Sequence, residues 1–352
     1  MIIKNPLNIL SVCLCLCLFS CVDEIDLDVD TEQRTLIVDG FVSDFNAEYT
    51  VRLSLSSVIG IGNDNILDPV PNASVRLLDD RGGIFPYEED GPGIYRLRDF
   101  AAKRLTSYQL DISLADGRRF QSQAQELRSS SLIDSIYYSI EEKTLRNNAG
   151  DFNSQLYISM LISTDISQAE EPPFLRWRVE GEYQLQEGYP GALNLKRCYV
   201  KENLDLNEIR VFDASQLNGN MLFDQVIAET PYDFRFSDQF CFHISQFSIS
   251  EDEYEYWNNI KNIIDINGGL FDPPPGTVIG NIFNVDNPSE VAVGYFSVSS
   301  AFFTRQFINS NELDFFIEPK CSTRGFRDIP FGCLDCEDVN NSTLDKPDYW
   351  EF

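Results

Sequence analysis

Apolar and polar residues alternate with a period of two along most of residues 35–126. In YTVRLSLSS (residues 49–57) the apolar side chains point to one face and the polar side chains to the other, as in a half-buried strand. Tight turns are supplied by residues 80–83 (DRGG) and 116–117 (DG), because glycine tolerates a positive φ. About six short strands in this span predict an N-terminal β-sandwich of immunoglobulin-like or transthyretin-like type.

A polar run, SQAQELRSSS at residues 122–131, separates this sandwich from a second region. Strand-like alternation resumes beyond it, in segments such as LYISMLIST and FRFSDQFCFHISQF. The long segment FLRWRVEGEYQLQ (174–186) carries a charge at every second position through its middle, so one of its faces must be wet. We expect residues 132–352 to form a larger C-terminal β-rich domain, and the fold class to be mainly all-β.

One short helix is predicted inside this second region. Ser250 followed by Glu253 has the spacing of a capping box, which marks a helix start. The helical spacing continues at Tyr254, Trp257, Lys261 and Ile264. Gly268 and Gly269 are expected to end the helix, and the three prolines of FDPPPGTVIGN cannot continue it.

The first residues have the layout of a signal peptide, which we assign to residues 1–20. Lys4 precedes an apolar stretch that is too short to span a bilayer, since a membrane helix needs roughly 20 apolar residues. The stretch ends in LFSC, which resembles a bacterial lipobox, so Cys21 is predicted to be lipidated and to become the mature N-terminus. Residues 21–34 then form an acidic tether, whose carboxylates repel one another and anionic head groups.

The acidic residues after Cys21 also bear on location. They resemble the export signal that sends some Gram-negative lipoproteins to the outer leaflet of the outer membrane. We therefore expect a lipid-anchored protein of the outer membrane that faces outward.

Net charge limits the partners. The chain has 56 acidic and 27 basic residues and a formal net charge of -29. Nucleic acid is not an expected partner, since phosphate contacts need clustered Lys and Arg. Electrostatic binding to anionic lipid is disfavoured for the same reason, which leaves acyl chains as the membrane contact. With 43% hydrophobic residues, the chain can still bury a sizeable core.

Five cysteines follow the predicted lipidation site, and disulfides are expected outside the inner membrane. We expect Cys198 to pair with Cys241, and Cys321 to pair with Cys333 or Cys336, which leaves one thiol. The last two belong to CLDC, a spacing shared with redox and zinc sites. The loop-like sequence after it and the single histidine of the chain favour structural disulfides instead.

Candidate chemistry is sparse. His243 is the only histidine, so a catalytic triad or Cys-His site would depend on it alone, and we interpret it as structural. No nucleophile elbow, phosphate-binding loop or dinucleotide fingerprint occurs. The acidic surface is compatible with Ca²⁺, but no segment has the ligand spacing that would place it. We expect no enzymatic activity, no catalytic residue, no metal site and no cofactor.

Aromatic residues favour binding over catalysis. The chain has 26 Phe, 15 Tyr and 3 Trp, and aromatic faces can stack on sugars or line peptide grooves. Tyr183 and Tyr189, in GEYQLQEGYPG, and Phe271, beside the prolines, are candidate binding residues. Packing in the core or within loops is the alternative for each of them.

Several of these segments together resemble one protein family. They are LIVDGFVSD (36–44), SVRLLDDRGG, GPGIYRL, NGGLFDPPPGTVIGNIFNV, VAVGYFSVSS, and CLDC followed by KPDYW. With the lipobox cysteine, they resemble the lipoprotein family known as domain of unknown function 4249 (DUF4249). Members of that family look like outer-membrane lipoproteins encoded beside TonB-dependent transporters, which implies an accessory role in uptake or surface assembly.

The resemblance and the predicted anchor lead to one functional hypothesis. The protein is expected to be a non-enzymatic accessory or substrate-capture subunit, with a TonB-dependent outer-membrane barrel as its partner. A free-standing adhesin or structural surface lipoprotein is one alternative, and a hydrolase of surface polymers is another.

The anchor hypothesis predicts the behaviour of Cys21→Ala. This variant lacks the acceptor sulfur for the lipid, so we expect it in the soluble fraction, whereas the unaltered protein sediments with membranes and takes up a clickable fatty acid. Membrane association that survives the substitution would contradict the lipid anchor.

Overall fold

The structure is a computed structural model that describes residues 34–56, 67–129, 131–146, 150–167, 173–188, 194–204, 208–265, 278–290, 292–321 and 329–350. The first part of the described chain consists of ten strands. In chain order they are β1 (Leu36–Val42), β2 (Ala47–Leu55), β3 (Asp68–Pro69), β4 (Ser74–Asp79), β5 (Ile84–Pro86), β6 (Glu88–Gly91), β7 (Ile94–Phe100), β8 (Ser107–Ser113), β9 (Arg119–Ser122) and β10 (Gln125–Glu126).

The second part contains longer strands and a helix of four turns. The elements are β11 (Leu132–Arg146), β12 (Phe152–Asp165), β13 (Phe174–Gln186), β14 (Arg197–Asn203), β15 (Arg210–Asp213), β16 (Met221–Pro231), β17 (Gln239–Ile249), α1 (Glu251–Ile264), β18 (Ile282–Asn284), β19 (Val293–Val298), β20 (Ser300–Asn309) and β21 (Ser342–Thr343). The mainly all-β expectation is confirmed, as is a short helix at the predicted place.

The N-terminal sandwich is formed by two six-stranded sheets. Sheet A has the order β19-β1-β2-β7-β6, with β3 paired to β2, and sheet B has the order β18-β9-β8-β4-β5, with β10 paired to β8. Their inner faces share one apolar core, because alternate residues of each strand point inward. On β2 this places Tyr49, Val51 and Leu53 in the core, as the alternation in the sequence predicts.

A second pair of sheets forms around another core. Sheet C has the order β11-β12-β16, and sheet D has the order β20-β17-β13-β14-β21, with β15 paired to β13. The core between them contains Trp177 and Val179 from β13, Phe242 from β17, and Met160 from β12. Sheets C and D are therefore a second sandwich, which lies after the polar run in the sequence.

Two strands from far along the chain complete the N-terminal sandwich. β19 pairs with β1 in parallel, and β18 pairs with β9 in antiparallel, so residues 282–298 join sheets A and B. Only Ser299 separates the end of β19 in sheet A from the start of β20 in sheet D. The backbone therefore passes directly from one sandwich into the other at Ser299, a feature that local sequence patterns do not reveal.

Helix α1 lies between the sandwiches. The Ser250 hydroxyl accepts a hydrogen bond from the Glu253 backbone N–H, as a capping box requires. The Glu253 side chain does not complete the box, because it accepts hydrogen bonds from Ser297 on β19 and from Trp257 Nε1. Burial raises the pKa of Glu253, against the nearby charge of Arg176. The described helix ends at Ile264, and the predicted glycine stop lies outside the described residues.

The structure has two disulfides, Cys198–Cys336 and Cys321–Cys333, and Cys241 is a buried thiol. The expected bond from Cys198 to Cys241 is wrong, because these residues lie on opposite faces of sheet D. Cys198 pairs in register with the core-facing Leu185, whereas Cys241 pairs with Glu182 on the other face. The Cys321–Cys333 bond is one of the two alternatives that the sequence left open.

The β1–β19 pairing predicts a large effect of Gly294→Ala. Gly294 has φ +113°, and an added Cβ would lie 1.9 Å from the Val38 carbonyl oxygen. We expect the free energy of unfolding to fall by about 3 kcal/mol or more. Gly82→Ala is the matched control, because φ is +88° there but no atom lies within 4 Å of the added Cβ.

For Gly82→Ala we expect a loss of about 1 kcal/mol, since only the backbone conformation is strained. Urea unfolding of both variants measures the difference. Equal losses at the two glycines would contradict a close contact between β1 and β19.

Candidate functional site on the outer face of sheet D

Sheet D has one face in the core and a second, outer face that is only partly covered. On β13 the odd-numbered residues point to the core, and the even-numbered Arg176, Arg178, Glu180 and Glu182 point outward. Neighbouring strands add His243 and Ser245 from β17 to this outer face. The alternating charges of FLRWRVEGEYQLQ predict that the charged residues lie on one solvent-facing side of the strand. Arg178 and Glu180 are exposed on that side.

One end of the outer face is covered by α1 and the N-terminal sandwich. The Arg176 guanidinium stacks on the Trp257 ring at 3.6 Å, and Phe174 packs against Tyr254. Phe247 of β17 contacts Phe41 of β1, with ring centroids 5.6 Å apart. This row of the sheet is therefore closed to ligands.

The other end is covered by the last described residues of the chain. Trp350 is 2% exposed and packs against Tyr199 and Phe307. With the Gln184 amide oriented to satisfy both neighbours, its oxygen accepts from Trp350 Nε1 and its nitrogen donates to Asp238. We call residues 344–350 the C-terminal strap, because they lie across β14, β13 and β17.

Glu182 is a fully buried carboxylate beneath this strap. It accepts a hydrogen bond from the Tyr349 hydroxyl at 2.6 Å, and His243 Nε2 lies 2.8 Å from the same oxygen. Burial alone would raise the pKa of Glu182. The hydrogen bonds from His243 and Tyr349, with the charge of Lys201, hold that pKa below its usual range. His243 therefore helps to hold a buried carboxylate, which agrees with its structural interpretation.

Cys241 lies next to this cluster and tests the idea of a Cys-His site. Burial, and then the charge of Glu182, raise the pKa of the Cys241 thiol to about 12. At neutral pH the sulfur is therefore protonated and a poor nucleophile. Cys241 also packs beneath Trp350, so no substrate reaches it in this arrangement.

The predicted binding residues do not gather at this face. Tyr183 is 6% exposed and points into the core, where it stacks on Phe240 and contacts Phe234. Its packing corresponds to the alternative that the sequence left open. Tyr189, Phe271 and the lipidation site Cys21 lie outside the described residues.

Of the residues between the two covers, sequence reasoning named only His243, and it did not group them as a site. Arg178, Glu180, His243, Ser245, Phe303 and Arg305 form what we call the open strip. Strand register places them in two adjacent rows, Arg178–Ser245–Phe303 and Glu180–His243–Arg305. The alternation in β13 could have found Arg178 and Glu180, but the contribution of β20 requires knowledge of the pairing.

Other chemistry at described positions is limited. A cavity of about 440 Å³ lies where the sandwiches meet, and its lining residues include Arg104, Arg128, Glu126 and Asp252. No group of three metal-ligating side chains occurs within the described ranges. Over the same residues, no helix is both long and apolar enough to cross a bilayer.

The family model described as Domain of unknown function (DUF4249) matches residues 22–305, well over half of the chain. The matched region contains all of the open strip and ends before the C-terminal strap. A search of curated proteins gave no match.

The buried cluster predicts a pH-dependent effect of Glu182→Gln. The carboxylate with a lowered pKa stabilises the folded chain fully above the unfolded pKa of about 4.3, and this stabilisation is lost as pH falls through the folded value. We expect Glu182→Gln to lower the free energy of unfolding by about 2 kcal/mol at pH 7. The difference from the unaltered protein should shrink in acid, where both side chains are neutral.

Glu180→Gln is the control, because this residue is exposed two positions along the same strand. We expect it to change the free energy of unfolding by less than about 0.5 kcal/mol. Urea titrations across a pH series, followed by Trp fluorescence, make the comparison. If the decrease in the free energy of unfolding for Glu182→Gln stays the same as the pH falls, the charge of Glu182 does not stabilise the fold.

Proposed function

The chain belongs to the DUF4249 family, and from that premise we propose that it is an outward-facing, lipid-anchored accessory subunit of a TonB-dependent outer-membrane transporter. In this role it captures substrate or docks on the barrel, and it performs no chemistry itself. Cys21 carries the anchor, and residues 21–34 form the tether.

The observation that carries this proposal is the direction in which the chain crosses the N-terminal sandwich. Arg34 and Thr35 lie at one end, where Arg34 pairs with Asp68 and Thr35 with Ser56. The contact with the second sandwich is at the opposite end of β1, where Asp44 accepts from the Ala301 backbone N–H and Phe45 packs on Phe303. β1 separates these ends by about 20 Å.

The location of the chain entry and of the second sandwich at opposite ends of β1 suits a protein that is anchored by its N-terminus. A lipid at Cys21 would place the N-terminal sandwich next to the membrane and the second sandwich beyond it. The thirteen residues from 21 to 33 can extend at most about 45 Å. Anchoring in the same membrane as the barrel raises the effective concentration of the two proteins, so weak contacts suffice.

The chemistry of the outer face supports binding over catalysis. His243 is engaged with the buried Glu182, and the neighbouring Cys241 is protonated and covered by Trp350. The exposed residues of the open strip can hold a ligand, but they contain no nucleophile activated by a base.

Co-purification of the native protein tests the transporter role. We expect the lipidated protein, solubilised in mild detergent, to bring with it a TonB-dependent barrel that mass spectrometry identifies. Cys21→Ala is the control, because loss of the anchor removes the gain in effective concentration and should greatly reduce the recovered barrel.

Two outcomes would contradict the proposal. Isolation of the lipidated protein without a barrel would favour the free-standing adhesin. Hydrolysis of a surface polymer that a single Asp or Glu substitution abolishes would make the protein an enzyme.

A further inference from the structure

We propose that the open strip binds an acidic saccharide, with its carboxylates held by Arg178 and Arg305. This site deepens the capture role and rests on it for its biological purpose, although the binding itself is a property of this chain alone.

The open strip is the solvent-accessible part of the outer face of sheet D, which is covered on either side of the strip. The row before it is covered by Trp257 and Phe41, and the row after it by Tyr349 and Trp350. Within the strip, Arg178, Glu180, Phe303 and Arg305 are exposed, while Ser245 and His243 are half-buried. The strip is therefore an exposed area across β13, β17 and β20, with a covered row on either side.

The two arginines of the open strip are unusual for this chain, which has about two acidic residues for each basic residue. Arginines elsewhere, such as Arg76 and Arg98, form ion pairs with carboxylates. Arg178 and Arg305 form none with the described residues, and Arg305 instead stacks on Tyr349 at 3.8 Å. Their guanidinium groups are thus available for the paired hydrogen bonds that guanidinium makes with carboxylates.

The spacing of these two arginines favours a ligand of more than one ring. They lie two strands apart and two residues out of register, which separates their Cα atoms by roughly 12 Å. Extended in opposite directions along the strip, the two guanidinium groups can engage carboxylates on different rings of one ligand. The net charge of -29 repels long polyanions, so we infer a short oligosaccharide with a few carboxylates.

Aromatic rings lie at one side of the open strip. Phe303 is 43% exposed and packs edge-to-face against Phe45, which is 55% exposed. Exposed rings of this kind offer an apolar surface to the C–H face of a sugar. Ser245 and Glu180 supply hydrogen-bonding groups for sugar hydroxyls.

The position of the strip on the sheet argues for a saccharide over a peptide. His243 and Ser245 belong to β17, whose backbone is hydrogen-bonded to β13 on one side and to β20 on the other. An extended peptide bound over this floor would find no free backbone groups to pair with. Recognition over β17 therefore goes through side chains, which suits a ligand rich in hydroxyls and carboxylates, although β20 is an edge strand of the sheet.

Calorimetry on the purified full chain tests the proposal, with a short oligogalacturonate as the probe. We expect saturable binding that weakens about tenfold or more in Arg178→Gln, since a hydrogen bond to a charged group is lost. Arg178→Gln should fold normally, because Arg178 is exposed and forms no ion pair with the described residues. Arg52→Gln removes the same charge from an exposed site in the other sandwich and should bind as the unaltered protein does.

Esterification of the probe separates charge from shape. The methyl-esterified oligogalacturonate keeps its rings and loses its carboxylates, so we expect little or no binding. The proposal is overturned if oligogalacturonate does not bind saturably or binds Arg178→Gln unchanged. It is also overturned if the ester, or an acidic peptide of equal charge, binds equally well. Barrel co-purification uses no saccharide, so either proposal can fail while the other stands.

Discussion

The parallel pairing of β1 with β19 holds the two halves of this protein together. Because β19 belongs to sheet A and continues through one residue into β20 of sheet D, the pairing fixes where β20 starts relative to the N-terminal sandwich. It also places Ser297, which donates to the buried Glu253 of α1. The helix is thereby seated between the sandwiches, and its Trp257 covers the row next to the open strip.

The pleat of sheet D then divides its side chains into two environments. One set faces the core with sheet C, and the other set meets α1, solvent and the C-terminal strap in turn. The same division explains the cysteines. Cys198 and Cys241 are on different strands of one sheet but on opposite faces, so the core-facing Cys198 bonds to Cys336 and Cys241 stays a thiol.

These features point to a protein whose task depends on location and surface. Its only histidine and its only described thiol are both committed to the packed region beneath the strap. The exposed groups nearby are guanidinium, carboxylate, hydroxyl and aromatic. Under the proposed function, an N-terminal tether would leave this surface facing away from the membrane.

Features that depend on near neighbours can be read from the amino-acid sequence. The alternation in YTVRLSLSS and FLRWRVEGEYQLQ gave strands and their wet and buried faces, and Ser250 gave the start of the helix. These follow from backbone periods of two and 3.6 residues, which short segments already display.

Features that join residues far apart in the chain became visible with the three-dimensional fold. The entry of β19 into the first sandwich, the Cys198–Cys336 bond and the contact of Tyr349 with Glu182 each join segments more than 130 residues apart. No local period encodes such pairings, because many strands of similar pattern compete for each partner. The native pairing is the one that gives the whole packed core the lowest free energy.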